Sequence, residues 1–284
     1  PPGSTIKSLA VISALENDIF NPKTVIRCSG SIELYGEKFH CWKKKGHGYM
    51  DMREGLKQSC DVYFYEVARK LGIDRLSETA KKFGLGEKVL DGFIEERTGV
   101  VPNTSWKKKF IGKNWYLGET LHAGIGQGYW QSSPMQLCLM TAQIANGGYK
   151  IKPRIILNDE ENDKFRDLNQ FIEDRKLFAD DVVSLYDFIS KFKYKSLFRN
   201  PENIKFVIDA LYGATNEPGG TSYGSRLTKK GFIFAGKTGT SQVKRFTARQ
   251  RELEIKNEDL PYEDRDHALF VAFAPYKDPR YAIS

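Results

Sequence analysis

The sequence has no run of eighteen consecutive apolar residues, no recognisable signal peptide, no internal repeat and no low-complexity tract. Because a helix that crosses a bilayer needs about 20 predominantly apolar residues, no membrane-spanning segment is expected within it. The chain opens on Pro1 and runs at once into an apolar segment, and it stops at Ser284 inside a predicted strand. We therefore expect a fragment whose targeting segment lies upstream.

Apolar residues make up 40% and charged residues 28% of the 284 positions, ordinary values for a globular protein with a sizeable core. Lysine and arginine outnumber the acids by 44 to 36, a net charge of +8. A basic surface suits nucleic acid, an anionic membrane or a polyanionic polymer. The basic residues are spread along the chain apart from short runs such as 43–45 and 107–109, which favours a solvated surface. No nucleic-acid partner is expected.

Apolar periodicity and turn residues predict helices first and strands last along the chain. Helices are predicted at 4–20, 52–71 with a break near Ser59, 76–83, 135–145, 181–192 and 203–212. Strands are predicted at 231–235, 268–274 and 280–283, whereas 23–50 and 84–133 are predicted to be irregular. This order predicts an α+β fold in which helices pack on an antiparallel sheet.

Ser4-Thr5-Ile6-Lys7 has the form S-x-x-K at the start of the first predicted helix. Positions i and i+3 share a helical face, so the lysine amine can reach the serine hydroxyl. That hydroxyl becomes a useful nucleophile when a base takes its proton, and the helix N-terminus favours a developing alkoxide. The same pattern recurs elsewhere in the sequence, but only Ser4 combines a preceding glycine with an immediate apolar helix.

Ser59-Cys60-Asp61 forms an S-x-D triplet between two predicted helical stretches. Alternate side chains of an extended triplet point the same way, so Ser59 and Asp61 are predicted to face one cleft. A second hydroxyl there can relay a proton between the lysine and a leaving amine. Taken alone, the triplet is better explained as the N-cap of the following helix.

Lys237-Thr238-Gly239-Thr240 follows the predicted strand 231–235. The lysine and a hydroxyl can bind a substrate carboxylate, and the glycine lets a substrate backbone approach closely. The backbone N–H groups of Thr240 and Ser4 are candidates for an oxyanion hole.

Each motif is weak alone, but the ordered trio S-x-x-K, S-D-N and K-T-G is typical of penicillin-binding proteins and class A β-lactamases. The chain resembles the class B penicillin-binding proteins, in particular their type 2, elongation-specific subgroup. Further stretches that carry this resemblance are 41–48, 59–65, 124–130 and 272–276. Asp61 replaces the Asn of the general pattern, a variant that looks like the type 2 subgroup.

The resemblance implies a penicillin-recognising serine-enzyme fold over 1–284, with a helical subdomain and incomplete at both ends. It implies a D,D-transpeptidase that needs no catalytic cofactor. Ser4 would be the nucleophile, Lys7 the general base, Ser59 and Asp61 further catalytic residues, and 237–240 the segment that binds substrate.

The same resemblance implies partners and a location. The substrates would be stem peptides ending in D-Ala-D-Ala, and β-lactams would acylate the same serine. A membrane glycosyltransferase of the elongation machinery would be a partner. The family works at the periplasmic face of the inner membrane, anchored by a transmembrane segment that this fragment would lack.

Cys28, Cys41, His47 and Cys60 are separated by 12, 5 and 12 residues and suit a closed structural zinc site at the 23–50 excursion. Cys60 is the middle residue of the triplet, so its side chain is predicted to point away from the cleft. A metal there would orient the two residues beside it, and some type 2 members look metal-bound at matching positions. The alternatives are a Cys28–Cys41 disulfide, which the oxidising periplasm would permit, and free thiols.

Two other functions stay open. A D,D-carboxypeptidase or β-lactamase would hydrolyse the same acyl-enzyme, although the E-x-x-L-N loop of class A β-lactamases is absent between Asp61 and Lys237. A non-catalytic β-lactam sensor would keep the acylating serine without turnover. Residues 124–128 lack the spacing and the preceding strand of a dinucleotide-binding loop.

Overall fold

The computed structural model describes residues 1–90, 93–155, 195–229, 231–243 and 255–284. The helix predicted at 181–192 lies outside the described residues. The α-helices of the described part are α1 Lys7–Glu16, α2 Met52–Lys57, α3 Asp61–Leu71, α4 Ile73–Lys82, α5 Thr104–Ile111, α6 Leu117–Gly124, α7 Pro134–Ala145 and α8 Pro201–Asn216. Its strands are β1 Ile26–Cys28, β2 Ser31–Leu34, β3 Glu37–His40, β4 Gly48–Met50, β5 Ala235–Ser241, β6 His267–Ala274 and β7 Tyr281–Ile283.

Helix α1 lies in the centre of the helical core and follows a single 3₁₀ turn, Gly3–Ile6. Every residue from Lys7 to Ala14 is buried, and the helix contacts α3, α4 and α8. A helix that is apolar almost all round has to be covered on every side, which explains this position. The predicted helix 4–20 is confirmed in its middle but ends four residues early, at Glu16.

The predicted break near Ser59 is confirmed. Helix α2 is capped by Asp51, whose carboxylate accepts a hydrogen bond from the N–H of Glu54 at 2.9 Å. Helix α3 begins two residues after Ser59, which has a φ of +55°. A non-glycine residue rarely adopts this left-handed conformation, so the chain reverses sharply between the two helices.

Helices α2 and α8 are joined by a cluster of charged side chains. The guanidinium of Arg53 binds the carboxylate of Glu217 at 2.6 Å and also pairs with Asp209. The hydrogen bond from Arg53 lowers the pKa of Glu217 to about 2. This cluster fixes α8, and α8 in turn packs against β5.

The prediction that residues 84–133 are irregular is wrong in two places. Helix α5 begins after Asn103, whose side chain accepts a hydrogen bond from the N–H of Trp106 at 2.6 Å. Helix α6 begins after Tyr116, where the carboxylate of Glu119 accepts a hydrogen bond from the Tyr116 N–H at 2.8 Å. Both helices have only eight residues, which is too short for a clear apolar periodicity. Their capping residues were therefore the only sequence feature that could have predicted them.

The excursion 23–50 also holds more structure than predicted. Strands β1 and β4 pair antiparallel with Ile26 opposite Met50, and β2 and β3 pair with Ser31 opposite His40. The short strands hold no long alternating pattern, which is why composition alone predicted a loop.

The main sheet of the described residues is antiparallel in the order β5-β6-β7. The predicted strands 268–274 and 280–283 are confirmed, and the α+β fold class is confirmed with them. The strand predicted at 231–235 is wrong, because the strand runs from Ala235 to Ser241 and contains the K-T-G motif. Pairing with the apolar β6, in which Lys237 lies opposite Val271, overrides the weak strand propensity of this glycine-containing segment.

No helix in the described ranges combines the length and the apolar character that crossing a bilayer requires.

Candidate active site

Ser4 lies in the 3₁₀ turn, directly after Gly3 and facing the K-T-G strand. Gly3 has a φ of +54°, and its N–H donates to the carbonyl of Gly126 at 3.0 Å. A Cβ atom on Gly3 would lie 2.4 Å from the carbonyl oxygen of Thr240. Only glycine therefore lets the turn that carries Ser4 approach β5 so closely.

Lys7 lies one helical turn after Ser4 and is fully buried. Its ammonium donates three hydrogen bonds: to the carbonyl of Ser59 at 2.9 Å, to the Ser59 hydroxyl at 3.1 Å, and to a carboxylate oxygen of Asp61 at 2.6 Å. An ammonium has three donors, so these contacts engage all of them. The amine thus faces Ser59 and Asp61 in this structure, rather than the Ser4 hydroxyl that the S-x-x-K spacing lets it reach.

Ser59 and Asp61 direct their side chains to one amine, that of Lys7, whereas Cys60 directs its side chain elsewhere. Both side chains contact Lys7, whereas the thiol of Cys60 joins a cluster of cysteine and histidine side chains behind them. The triplet is not uniformly extended, because Ser59 is left-handed and Asp61 begins α3. Cys60 occupies the N-cap position but makes no capping bond through its side chain.

Trp42 is a residue of this site that sequence reasoning missed. Its backbone N–H donates to the second carboxylate oxygen of Asp61 at 2.8 Å, and its indole N–H donates to the Ser59 carbonyl at 3.0 Å. The only signal was its place beside Cys41 in the stretch 41–48. Through these bonds the excursion holds both partners of the buried lysine.

Lys237 is fully buried in β5, and its amine donates to the carbonyl of Thr238 at 3.1 Å. Burial, together with the nearby positive charge of Lys7, lowers the pKa of Lys237 well below its ordinary value. The Thr238 hydroxyl donates to the hydroxyl of Thr221 at 2.9 Å. The site therefore offers one desolvated amine and a row of hydroxyls, which suits an anionic group arriving from solvent.

The backbone of Thr240 is aimed at the turn that carries Ser4. The side-chain amide of Gln127 donates to the Thr240 carbonyl at 2.7 Å, so this carbonyl points away from β6. In an antiparallel strand the N–H and C=O of one residue point to the same side, so the Thr240 N–H faces the same gap. Gln127 is a second residue that sequence reasoning missed: it lies in the stretch 124–130 that carries the family resemblance, but nothing in that stretch pointed to a contact with Thr240.

Behind the cleft, Cys28, Cys41, His47 and Cys60 bring their ligand atoms within 4.8 Å of one another. The Nδ1 atom of His47 lies 3.6 Å from the sulfur of Cys28 and 3.5 Å from that of Cys41. Tetrahedral zinc, about 2.3 Å from sulfur and about 2.0–2.1 Å from nitrogen, places such atoms about 3.5 Å apart. The residues therefore fit the geometry of a closed zinc site.

Two of these thiols, Cys41 and Cys60, are joined by a hydrogen bond that shifts their pKa values in opposite directions. A hydrogen bond from Cys60 lowers the pKa of Cys41, and the same bond raises the pKa of Cys60. All four cysteines of the chain are free thiols in this structure, so it contains no Cys28–Cys41 disulfide. The thiolate is the form that binds metal, so the lowered pKa of Cys41 favours metal binding at that sulfur, whereas Cys60 would have to lose its proton when a metal binds.

Comparison with known proteins agrees with this geometry. The model of the family described as penicillin binding protein transpeptidase domain matches residues 1–284. The peptidoglycan D,D-transpeptidase MrdA of Salmonella typhimurium strain LT2 is 34% identical over 286 residues, covering 100% of this chain and 42% of that protein.

Solved structures give the same result. PBP2 of Helicobacter pylori in complex with MreC has a TM-score of 0.78 and 30% identity, over 100% of this chain and 44% of that one. PBP2 of Pseudomonas aeruginosa in complex with WCK 5153 has a TM-score of 0.75 and 30% identity, over 100% and 55%.

The chain belongs to the penicillin-binding protein transpeptidase domain family. It spans less than half the length of the curated MrdA relatives, 42% in the Salmonella protein.

Proposed function

We propose that the chain is the catalytic domain of a peptidoglycan D,D-transpeptidase. The observation that carries this proposal is the buried contact of Lys7 with Ser59 and Asp61, one helical turn below Ser4 and opposite the K-T-G strand. A serine beside a buried amine and a peptide-binding strand is the arrangement that acyl transfer needs.

Catalysis begins with attack of the Ser4 hydroxyl oxygen on the carbonyl carbon of the penultimate D-Ala. Lys7 first passes one of its protons to a neighbouring group, and the Asp61 oxygen 2.6 Å from its amine is placed to receive it. The neutral amine of Lys7 then accepts the proton of the Ser4 hydroxyl. The N–H groups of Ser4 and Thr240 stabilise the oxyanion. The peptide C–N bond then breaks, a proton reaches the amine through the Ser59 hydroxyl, and D-Ala leaves.

The second half-reaction transfers the acyl group to an amine of a neighbouring stem peptide, which releases Ser4. The donor peptide lies along the open edge of β5, where the Thr240 backbone groups face away from β6. Its terminal carboxylate binds Lys237 and the hydroxyls of Thr238 and Thr240. An anion there favours the protonated form of Lys237, which burial otherwise disfavours.

Intact-mass analysis after incubation with benzylpenicillin tests the proposal on the wild type and on Ser4→Ala. We expect one stable penicilloyl adduct that the variant lacks. No adduct on a folded protein, with the penicillin intact, refutes it. Rapid penicillin hydrolysis would instead favour a β-lactamase. A donor peptide with an amine acceptor then separates cross-linking from carboxypeptidase hydrolysis or from a sensor without turnover.

We also propose that Cys28, Cys41, His47 and Cys60 hold a structural zinc ion. The sulfur–nitrogen distances of 3.5 and 3.6 Å support it. Bound zinc would join the excursion to the start of α3 and take no part in the chemistry. Trp42 follows one of the proposed ligands, and Ser59 and Asp61 flank another, so a bound metal would hold the partners of Lys7 in place.

Metal analysis of the purified protein tests this assignment. We expect one zinc per chain in the wild type and in Cys138→Ser, and none in Cys28→Ser. A protein with no zinc whose thiol titration gives two fewer free thiols than after reduction carries a disulfide instead. Four titratable thiols without metal would leave free thiols as the correct state.

The remaining partners follow from the family. We propose that the domain works on the outer side of the cytoplasmic membrane, anchored by another part of its protein, with a membrane glycosyltransferase as partner. A relative of 26% identity was solved in a peptidoglycan synthase complex that couples polymerization and crosslinking. Co-purification of the natural full-length protein with such a glycosyltransferase tests this proposal.

A further inference from the structure

A group of aromatic rings lies at the surface beside α5. This aromatic platform consists of Trp106, Phe110, Trp115, Tyr116 and Tyr129. The ring centroids of Trp106 lie 6.0 Å from Phe110 and 5.3 Å from Tyr129, and Trp115 lies 6.0 Å from Tyr129. Phe110 is 66% exposed and Tyr116 is 62% exposed. Clustered exposed aromatic surface of this kind marks a binding site more often than scattered apolar residues do.

The buried amine of Lys107 fixes the platform from below. It lies 4.7 Å from the ring centroid of Tyr116 and 5.9 Å from that of Tyr129. Both carboxylate oxygens of Glu119 accept hydrogen bonds from it, at 2.5 and 2.6 Å. These contacts restrain Tyr116 and Tyr129, so a ligand that stacks on Tyr116 immobilises a side chain that has already lost much of its freedom, and the entropy cost of binding there is small.

The surroundings of the platform are basic. Residues 103–116 contain four lysines and no acid. Lys107 is neutralised by Glu119, whereas Lys108, Lys109 and Lys113 are exposed and form no ion pair with a carboxylate of the described residues. Three uncompensated cations around flat rings select an anionic ligand that has flat faces.

The platform adjoins the candidate active site. Tyr129 follows Gly126 by three residues, so their Cα atoms are at most about 11 Å apart. The carbonyl of Gly126 accepts the hydrogen bond from Gly3, the residue before the nucleophile. Tyr129, at one side of the platform, therefore lies near the turn that carries Ser4.

We propose that the aromatic platform binds the glycan strand that carries the acceptor stem peptide. This inference rests on the proposed function, because the cleft it adjoins is assigned to a cell-wall peptide. Sugar rings stack on Phe110 and Tyr116, and the carboxylates of the stem peptides along the strand pair with Lys108, Lys109 and Lys113. A single-stranded nucleic acid offers similar flat faces and charge, and it enters the test as a competing ligand.

The test uses the natural full-length chain and fluorescent, un-cross-linked peptidoglycan strands, with binding measured by anisotropy at about 0.05 M and about 0.5 M salt. The platform variants are Lys108→Gln/Lys109→Gln/Lys113→Gln and Phe110→Ser. The matched control Lys23→Gln/Lys38→Gln/Lys277→Gln removes the same charge from exposed positions elsewhere. We expect binding about tenfold weaker in each platform variant, and a weaker salt dependence in the triple variant only.

Two results would overturn the inference: platform variants that bind strands as tightly as the control, or an oligothymidylate that binds the wild type as tightly as the strands do. Acylation by benzylpenicillin in the same samples tests the proposed function separately, because that small ligand does not reach the platform. Unchanged acylation together with weakened strand binding supports a role in holding the acceptor.

Discussion

Replacing Gly3 by alanine tests whether the close approach of the 3₁₀ turn to β5 creates the catalytic geometry. The new Cβ would lie 2.4 Å from the carbonyl oxygen of Thr240, and ordinary contact needs about 1 Å more. The turn and the strand must therefore separate. A shift of about 1 Å in a catalytic group costs about 10²-fold in rate, and loss of one oxyanion donor costs about 10²–10³-fold.

We therefore expect acylation of Gly3→Ala by a fluorescent penicillin to be about 10²–10³-fold slower than in the wild type. The free energy of unfolding, measured with urea, should fall by about 2–3 kcal/mol. Placing alanine at a left-handed φ costs about 1–2 kcal/mol, and weakening of the hydrogen bond from Gln127 to the Thr240 carbonyl, as the strand moves, accounts for the rest.

Gly36→Ala is the matched control. Gly36 also has a positive φ, +78°, but no atom lies within 4 Å of the place of its Cβ. This variant should lose about 1–2 kcal/mol of stability through backbone strain and keep normal acylation. If Gly3→Ala acylates within about threefold of Gly36→Ala, the close approach does not set the catalytic geometry and the reasoning fails.

Three further predictions follow from the contacts around the cleft. Asp61→Asn leaves the buried Lys7 charge without its counter-ion, so we expect a loss of about 3–5 kcal/mol in urea unfolding and acylation at least about 10²-fold slower; a variant as stable as the wild type contradicts this. Trp42→Phe removes the hydrogen bonds from the indole N–H to the carbonyls of Ser59 and Gln58, so acylation should slow about 3–10-fold with the metal content unchanged; loss of metal would show that the indole supports the cluster instead. Glu217 has a pKa lowered from 4.5 to about 2 by Arg53, so its stabilising effect is present above pH 4.5 and disappears as the pH falls toward 2. Glu217→Gln should flatten that part of the stability profile measured by urea unfolding, and an unchanged acid profile would contradict the ion pair.

The parts of the fold that the sequence predicted well are those with long apolar patterns. Helix α1 and strand β6 each bury a continuous apolar segment, and both were predicted within a few residues. Helices α5 and α6 and the strands of the excursion are short, and their stability comes from caps and neighbours that a periodic pattern does not record. The predicted position of strand β5 was wrong for a similar reason: its bounds are set by pairing with β6, which the local sequence of β5 does not show.

The site was predictable as a set of residues but not as a set of bonds. The first two motifs named Lys7, Ser59 and Asp61, and the structure brings these three residues together; their catalytic roles stay predictions. The spacing of the cysteines and His47 likewise anticipated a cluster. Trp42 and Gln127 were missed because their partners are far away in sequence. Trp42 donates hydrogen bonds to Asp61 and to the Ser59 carbonyl, and Gln127 donates one to the Thr240 carbonyl. No local sequence pattern reveals such partners.

The buried amine of Lys237 would also make the binding of a carboxylate ligand a proton-linked event. Lys237 has a lowered pKa because it is desolvated and lies near Lys7. A carboxylate that binds there restores its affinity for a proton, so above the lowered pKa the complex takes up a proton from solvent as it forms. The heat of binding would then depend on the ionisation enthalpy of the buffer. Because binding takes up a proton, a donor with a free carboxylate should bind more tightly as the pH falls. A donor whose carboxylate is replaced by an amide would bind without proton uptake, so its affinity would not increase in this way.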